Sequence, residues 1–201
     1  MVLFVGSQFR LKGLEFAIRA LAEMKTEAHL LVVGHDSPAN GFRKLANELG
    51  VAERVHFLGA RKDLPEIYPA ADAFVFPSLY ETFALVCLEA MASGLPVVAS
   101  RVGGIEDYLR DEENGLFIKR EAHDIAQKLD RVLTDADLRA RLRATGLATA
   151  ANYSWDKIAQ QYLRLFDQLM MEREAATNGG IMSESALSSI LRHLLLRQLL
   201  P

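Results

Sequence analysis

Two kinds of apolar pattern alternate along this chain. Short runs, apolar throughout but for His56, occur at Val2-Leu3-Phe4-Val5, Leu30–Val33, Val55–Leu58, Ala73–Phe76, Val97–Ala99 and Leu116–Ile118. Most are closed by a turn residue such as Gly6, Gly34, Gly59 or Pro77. Such runs predict strands buried on both faces. Between them, apolar residues recur at helical spacing: Leu14, Ala17, Ile18, Leu21, then Phe42, Leu45, Ala46, Leu49. A short helix is expected over Leu64 to Ala71, another over Glu81 to Ser93, and one beginning at Gly103-Gly104. Beyond the last strand, Ile125, Leu129, Val132, Leu133 and then Leu138 to Leu147 are helical faces. Tyr153-Ser154-Trp155 opens a long helix through Ile158, Tyr162, Leu165, Phe166 and Leu169. Strands alternating with helices predict an α/β domain, a doubly wound (Rossmann-like) parallel sheet. Ligands of such sheets bind outside the carboxyl ends of the strands, so the loops after Gly6, Gly34, Gly59 and Pro77 should converge on one crevice.

The pattern changes at Ala175–Gly180, which reads as a linker over 175–183 between a domain of residues 1–174 and a tail at 184–201. In the tail Leu187, Ile190, Leu191, Leu194 and Leu195 form a stripe opposite Arg192, His193 and Arg197. Such a stretch docks on its own chain or on a partner, or is a frayed tail; the other reading is peripheral contact with a membrane surface. At 201 residues and half hydrophobic, the chain can bury a substantial core as one domain with a tail. Its net charge of -3 gives no field for nucleic acid. One cysteine, Cys87, excludes a disulfide framework and fits a reducing, cytoplasmic setting; a small buried residue is its expected role. No apolar run approaches a membrane span, and Met1 leads into a strand rather than a signal peptide.

Candidate chemistry concentrates in Tyr80–Glu89. Glu81 is expected in the loop after the fourth strand, Thr82 as a helix cap, and Glu89 about two turns into the helix. A straight helix would then put the carboxylates roughly 12 Å apart. That is too far for two acids working on one bond, which need about 5–10 Å. The spacing suits an extended polar ligand: Glu81 toward sugar hydroxyls, Glu89 toward ribose hydroxyls, and free N–H groups at Thr82, Phe83 and Ala84 toward an anion. Two surface glutamates on an amphipathic helix are the other reading. In Gly6-Ser7-Gln8-Phe9-Arg10-Leu11-Lys12-Gly13, a strand end opens a helix, and Lys12 can point at a phosphate. The G-K-[ST] order of a Walker loop is missing. Asp135-Ala136-Asp137 falls between two helical patterns and reads as a cap, and no other cluster has metal-ligand spacing.

The Glu81-to-Glu89 stretch resembles the E-x7-E motif of family 4 retaining glycosyltransferases of the GT-B fold, and the likeness runs over roughly residues 2 to 170. It implies that this is the C-terminal half of a GT-B fold, with Glu81 beside the donor sugar and Glu89 on the nucleotide ribose. The family's usual form reads E-x-F-G-[LIV]-x3-E, and here Ala84 replaces the glycine, losing the freedom to take positive φ. The Gly6–Gly13 stretch corresponds to G-R-x(4–5)-K-G, whose basic residues bind the donor diphosphate. Lys12 matches; Ser7 stands at the arginine position, so Arg10 is expected to substitute from a different angle. The form G-S-x-F-x-x-K-G is similar to the lipopolysaccharide core glucosyltransferases that act on the inner heptose, which implies a UDP-hexose donor, UDP-glucose in particular. Leu58-Gly59-Ala60-Arg61 resembles the stretch whose backbone reads the base: Gly59 permits close approach and Arg61 would stack on uracil, unless it is simply an exposed loop arginine. His35-Asp36 corresponds to a loop bordering the donor, the other reading being a plain turn at a strand end, and Gly103-Gly104-Ile105-Glu106 corresponds to a G-G-x-x-E pattern, one residue shorter. Glu106 itself reads as a helix-start acid.

The resemblance thus implies catalytic roles for Glu81, Lys12 and Arg10, and donor contacts from Ser7, Lys12, Gly59, Arg61, Glu81, Thr82, Phe83, Ala84, Leu85 and Glu89. No cofactor and no metal is expected; Lys12, Arg10 and the helix N-terminus would balance the leaving-group charge. The implied reaction moves a hexose from a nucleoside diphosphate sugar to a glycan or lipid-linked acceptor with retention. Family members carry the acceptor site in an N-terminal domain that this sequence lacks, so the chain is expected to bind a nucleotide sugar and to transfer slowly or not at all alone. Two rivals are a non-catalytic subunit that completes a site with a separate chain, and a UDP-sugar 2-epimerase-like enzyme.

Overall fold

The computed structural model describes residues 1–36 and 40–179. Each apolar run is a strand: β1 (Val2–Val5), β2 (Leu30–Val33), β3 (Val55–Gly59), β4 (Ala73–Phe76), β5 (Val97–Ser100) and β6 (Leu116–Ile118). Between and after them lie α1 (Phe9–Lys12), α2 (Leu14–Glu23), α3 (Asn40–Glu48), α4 (Leu64–Ile67), α5 (Leu85–Ala92), α6 (Ala122–Thr134), α7 (Ala136–Ala150) and α8 (Trp155–Gly179). The sheet has six strands in the order β3-β2-β1-β4-β5-β6, and every neighbouring pair is parallel. The chain winds outward from β1 to β3, then crosses back to lay β4 on the other side of β1, with Val2 opposite Ala73 and Leu3 opposite Phe74. The winding therefore reverses between β1 and β4, where a doubly wound sheet opens a crevice.

Continuous apolar strands follow from this arrangement, because both faces are covered. All residues of β1, β4, β5 and β6 are buried. On one face Val2 and Phe4 join Leu14, Ile18 and Leu21 of α2 and Ile125 and Leu129 of α6 in the main core. Residues of alternate parity, Leu3, Phe74 and Phe76, are also fully buried and turn to the opposite face. α7 starts where its sequence provides a cap: the Asp135 carboxylate accepts the Leu138 N–H at 2.9 Å.

Four element boundaries differ from the sequence expectation. α5 begins at Leu85, because residues 81–84 are not helical. The Leu64–Ala71 helix is divided into α4 and a 3-10 turn over Tyr68–Ala70, with Pro69 at the junction. Residues 103–108 form turns rather than a helix, since Gly104 sits at φ 78°, so no helix starts at Glu106; that side chain faces Arg101 at 3.6 Å. α8 continues through Gly179, where a linker is expected; Ala175 and Ala176 are good helix formers and extend it. The remainder of that linker and the 184–201 tail lie outside the described residues.

The chain divides into two compact units, Met1–Ala151 and the part from Asn152 onward. Within the second, α8 carries exposed Trp155, Tyr162, Leu163, Phe166, Met170 and Met171. No helix among the described residues is long and apolar enough to cross a membrane.

Candidate functional site

Two loops meet at the point where the winding reverses: residues 6–13 after β1, and 77–84 after β4. Their contact is close enough to dictate sequence. A Cβ on Gly13, at φ 78°, would lie 2.0 Å from the Pro77 carbonyl oxygen, so only glycine fits. The Leu79 N–H donates to Leu11 O at 2.9 Å, and Arg120 Nε donates to Pro77 O, also at 2.9 Å. From the neighbouring strand end, Asp36 accepts the Phe9 N–H at 2.7 Å and so fixes the start of α1. The other loop is anchored from below: Tyr108 donates its hydroxyl to Ala84 O at 3.0 Å, and the Phe83 and Tyr108 rings meet edge-on at 5.6 Å. Gly104 passes so near that a Cβ there would stand 2.2 Å from Thr82 O.

This lacing puts Lys12 against Glu81. The Lys12 ammonium is 2.5 Å from Glu81 Oε1 and 5.7 Å from the centre of the Phe76 ring. The two side chains are 21% and 9% exposed, so the pair is largely desolvated but still reachable from outside. Together with Val5, Gly6, Phe76 and Thr82 through Val86, it lines a cavity of about 250 Å³. α5 points its first turn at this cavity. Its first hydrogen bond runs from Cys87 N–H to Ala84 O at 3.0 Å, so the N–H groups of Leu85 and Val86 precede the helical ladder. A cation paired with a carboxylate, and two N–H groups ahead of the helical ladder, thus surround one depression, an arrangement able to hydrogen-bond a polar ligand.

The family described as Glycosyl transferases group 1 matches residues 1–149. The chain belongs to this family. It is 37% identical over 199 residues to the D-inositol 3-phosphate glycosyltransferase of Acidothermus cellulolyticus, covering 91% of this chain and 44% of that protein. Alr3699/HepE of Anabaena, solved in complex with UDP and glucose, superposes with a TM-score of 0.77 at 26% identity, over 83% of this chain and 48% of that one. WaaG, a glycosyltransferase involved in lipopolysaccharide biosynthesis, superposes at 0.69 with 33% identity, over 75% and 42%. The chain thus spans less than half the length of these relatives, and its fold is that of a GT-B glycosyltransferase domain.

In this group 1 glycosyltransferase chain, the residues singled out from the sequence fall into two sets. Lys12, Glu81, Thr82, Phe83, Ala84 and Leu85 come together around the cavity. Ser7, Arg10, Gly59, Arg61 and Glu89 do not line it. Ser7 and Arg10 are exposed on the loop and α1. Arg61 forms a two-pronged ion pair with Asp63 in an exposed loop, and Gly59 is exposed, its carbonyl accepting the Gly34 N–H at 2.9 Å.

Three expectations for the second loop are corrected. Thr82 does not cap α5. The cap position is Ala84, with no side-chain hydrogen bond, so the N–H groups of the helix's own first turn are those of Leu85 and Val86. Ala84 also adopts the conformation its methyl group was expected to forbid: φ 53°, ψ 62°. Since residues 81–84 are not helical, the 12 Å straight-helix spacing of the two glutamates does not apply. Glu89 lies instead one turn past Leu85 on the same helix face, roughly 6 Å farther along α5.

No sequence signal marks Tyr68, whose hydroxyl donates to Glu89 Oε2 at 2.8 Å. It sits in a short turn ahead of an apolar strand, where an aromatic residue reads as core. Cys87 is fully buried, and burial pushes its thiol well above the ordinary range, which keeps it protonated and inert. Asp135-Ala136-Asp137 serves as the α7 cap.

Proposed function

We propose that this chain is the donor-binding half of a retaining, family 4 hexosyltransferase, taking a uridine diphosphate hexose, UDP-glucose first. The observation that carries this reading is the Lys12–Glu81 pair beside the open N-terminus of α5, in one cavity at the reversal point of the sheet. Lys12 and the N–H groups of Leu85 and Val86 take the diphosphate. Glu81 accepts hydrogen bonds from the sugar, and Glu89, one turn along α5, accepts those of the ribose. Arg10, exposed on α1, reaches the phosphates from the solvent side, and the loop of Gly59 and Arg61 borders the base. In the transfer, the bond from the anomeric carbon to the β-phosphate oxygen breaks. An acceptor hydroxyl oxygen bonds to the same face of that carbon, and its proton passes to the departing diphosphate. Lys12 and the helix N-terminus stabilise the charge that develops there.

The uridine and glucose assignments are supported by the UDP and glucose complex of the Anabaena protein and by the form of the Gly6–Gly13 loop. A lipopolysaccharide acceptor is supported by the likeness to WaaG. In this reading acceptor recognition belongs to a second domain, so the chain alone binds donor and turns over slowly or not at all.

Calorimetric titration of the whole chain with UDP, UDP-glucose and GDP tests the proposal. UDP and UDP-glucose are expected to bind with micromolar affinity. Lys12→Ala is expected to weaken both at least tenfold, on the order of the loss of one charge-assisted contact to phosphate. Binding of GDP alone would overturn the uridine assignment. Absence of binding by any of the three would overturn the donor-site reading.

A further inference from the structure

The fold holds the two glutamates of the Glu81–Glu89 stretch differently. Glu81 is neutralised by Lys12, whereas Glu89 is held by a neutral phenol. Tyr68 is 2% exposed, lies in the 3-10 turn just before β4, and packs its ring 6.0 Å from that of Phe74. Its hydroxyl, kept protonated by burial and then by the carboxylate beside it, is a donor throughout the folded range. A carbonyl of the same helix, Val86 O, lies 3.4 Å from that hydroxyl, yet the short bond of 2.8 Å goes to Glu89 Oε2. A buried tyrosine in need of an acceptor would be served by the carbonyl. Bonding to the carboxylate does something more, since Glu89 is otherwise a flexible side chain on an exposed helix position.

We propose that Tyr68 is a positioning residue for Glu89. By occupying Oε2 from the buried side, it fixes the carboxylate so that Oε1 and the remaining lone pair of Oε2 face outward along the Leu85 side of α5. A carboxylate anchored through one oxygen by a neutral donor retains further acceptor capacity, and two acceptor oxygens at fixed spacing match the two hydroxyls of a vicinal diol. The ribose of the nucleotide is such a diol. This deepens the donor-site reading and rests on it.

The test is calorimetry of wild type and Tyr68→Phe, which keeps the buried ring and removes only the hydroxyl. The probes are UDP, 2′,3′-dideoxy-UDP, which lacks the diol, and inorganic pyrophosphate. Wild type is expected to prefer UDP over its dideoxy analogue. In Tyr68→Phe that preference is expected to shrink about tenfold, the scale of one hydrogen bond to a charged group. Dideoxy-UDP and pyrophosphate are expected to bind both proteins alike, which a general disturbance of the core would not allow. An unchanged preference in Tyr68→Phe, or equal weakening of all three ligands, would overturn the assignment. Failure of wild type to bind UDP at all would overturn the donor site together with it.

Discussion

Ala84 holds a backbone conformation that suits glycine better, and magnitudes decide what replacing it should do. A left-handed non-glycine residue costs roughly 1–2 kcal/mol. Glycine would relieve that, but it would also give up the methyl group of a residue only 8% exposed, worth about 0.8 kcal/mol, and would add unfolded-state freedom worth about 0.4–1 kcal/mol. The two sides nearly cancel. Ala84→Gly is therefore expected to shift stability in urea denaturation by less than about 1 kcal/mol in either direction. Ala84→Val, branched at a positive φ and facing the cavity wall, is expected to cost roughly 2 kcal/mol or more in the same measurement. At this scale the sequence was legible in which side chains meet: Lys12 and Glu81, from two strand-end loops, do come together at one cavity. It was misleading where an unfavourable backbone angle is imposed by neighbours: here the Tyr108 hydroxyl bond to Ala84 O and the approach of Gly104 to Thr82 hold the turn.

Among elements, the strands were the legible part, because a parallel strand covered on both faces must be a short apolar run and little else in the chain looks like one. Helix starts were less so. Thr82 has the side chain of a cap, but the chain is still turning there, and α5 waits until Leu85. The stretch after Gly103-Gly104 has helical spacing and no room to wind, since it presses on the loop of Thr82. One tie between elements is invisible to periodicity. Asp130 of α6 accepts the N–H groups of Lys25 at 2.9 Å and Thr26 at 2.9 Å, in the segment between α2 and β2. Burial opposes the charge of Asp130, but these donors outweigh it and hold its pKa below the ordinary 3.8. A carboxylate depressed in the folded state contributes stability that is complete above its unfolded pKa, about 4, and is lost as pH falls through the folded value. The stability difference between wild type and Asp130→Asn is therefore expected to be full at pH 7 and to shrink steadily below about pH 4 in urea denaturation followed across pH.

For the whole molecule, the division at Ala151 matters more than chain length. The first unit contains the entire sheet, the main core and every residue that lines the cavity. A chain ending at residue 151 is accordingly expected to melt cooperatively and to bind UDP within about twofold of the full chain, as measured by calorimetry. A loss of binding beyond tenfold would place part of the donor site in the later residues. The strand order has a consequence for synthesis. As the protein leaves the ribosome, β1, β2 and β3 emerge in the order in which they pair, and that half of the sheet can assemble at once. The other edge of β1 stays bare until residues 73–76 are made. At about 5–20 residues per second, a translating chain carries this unpaired edge of an apolar strand, Val2 to Val5, for several seconds. The same reversal that opens the crevice for a ligand thus gives each nascent chain an interval in which its future central strand is the surface most prone to pair with a neighbour, and in which a chaperone has the most to shield.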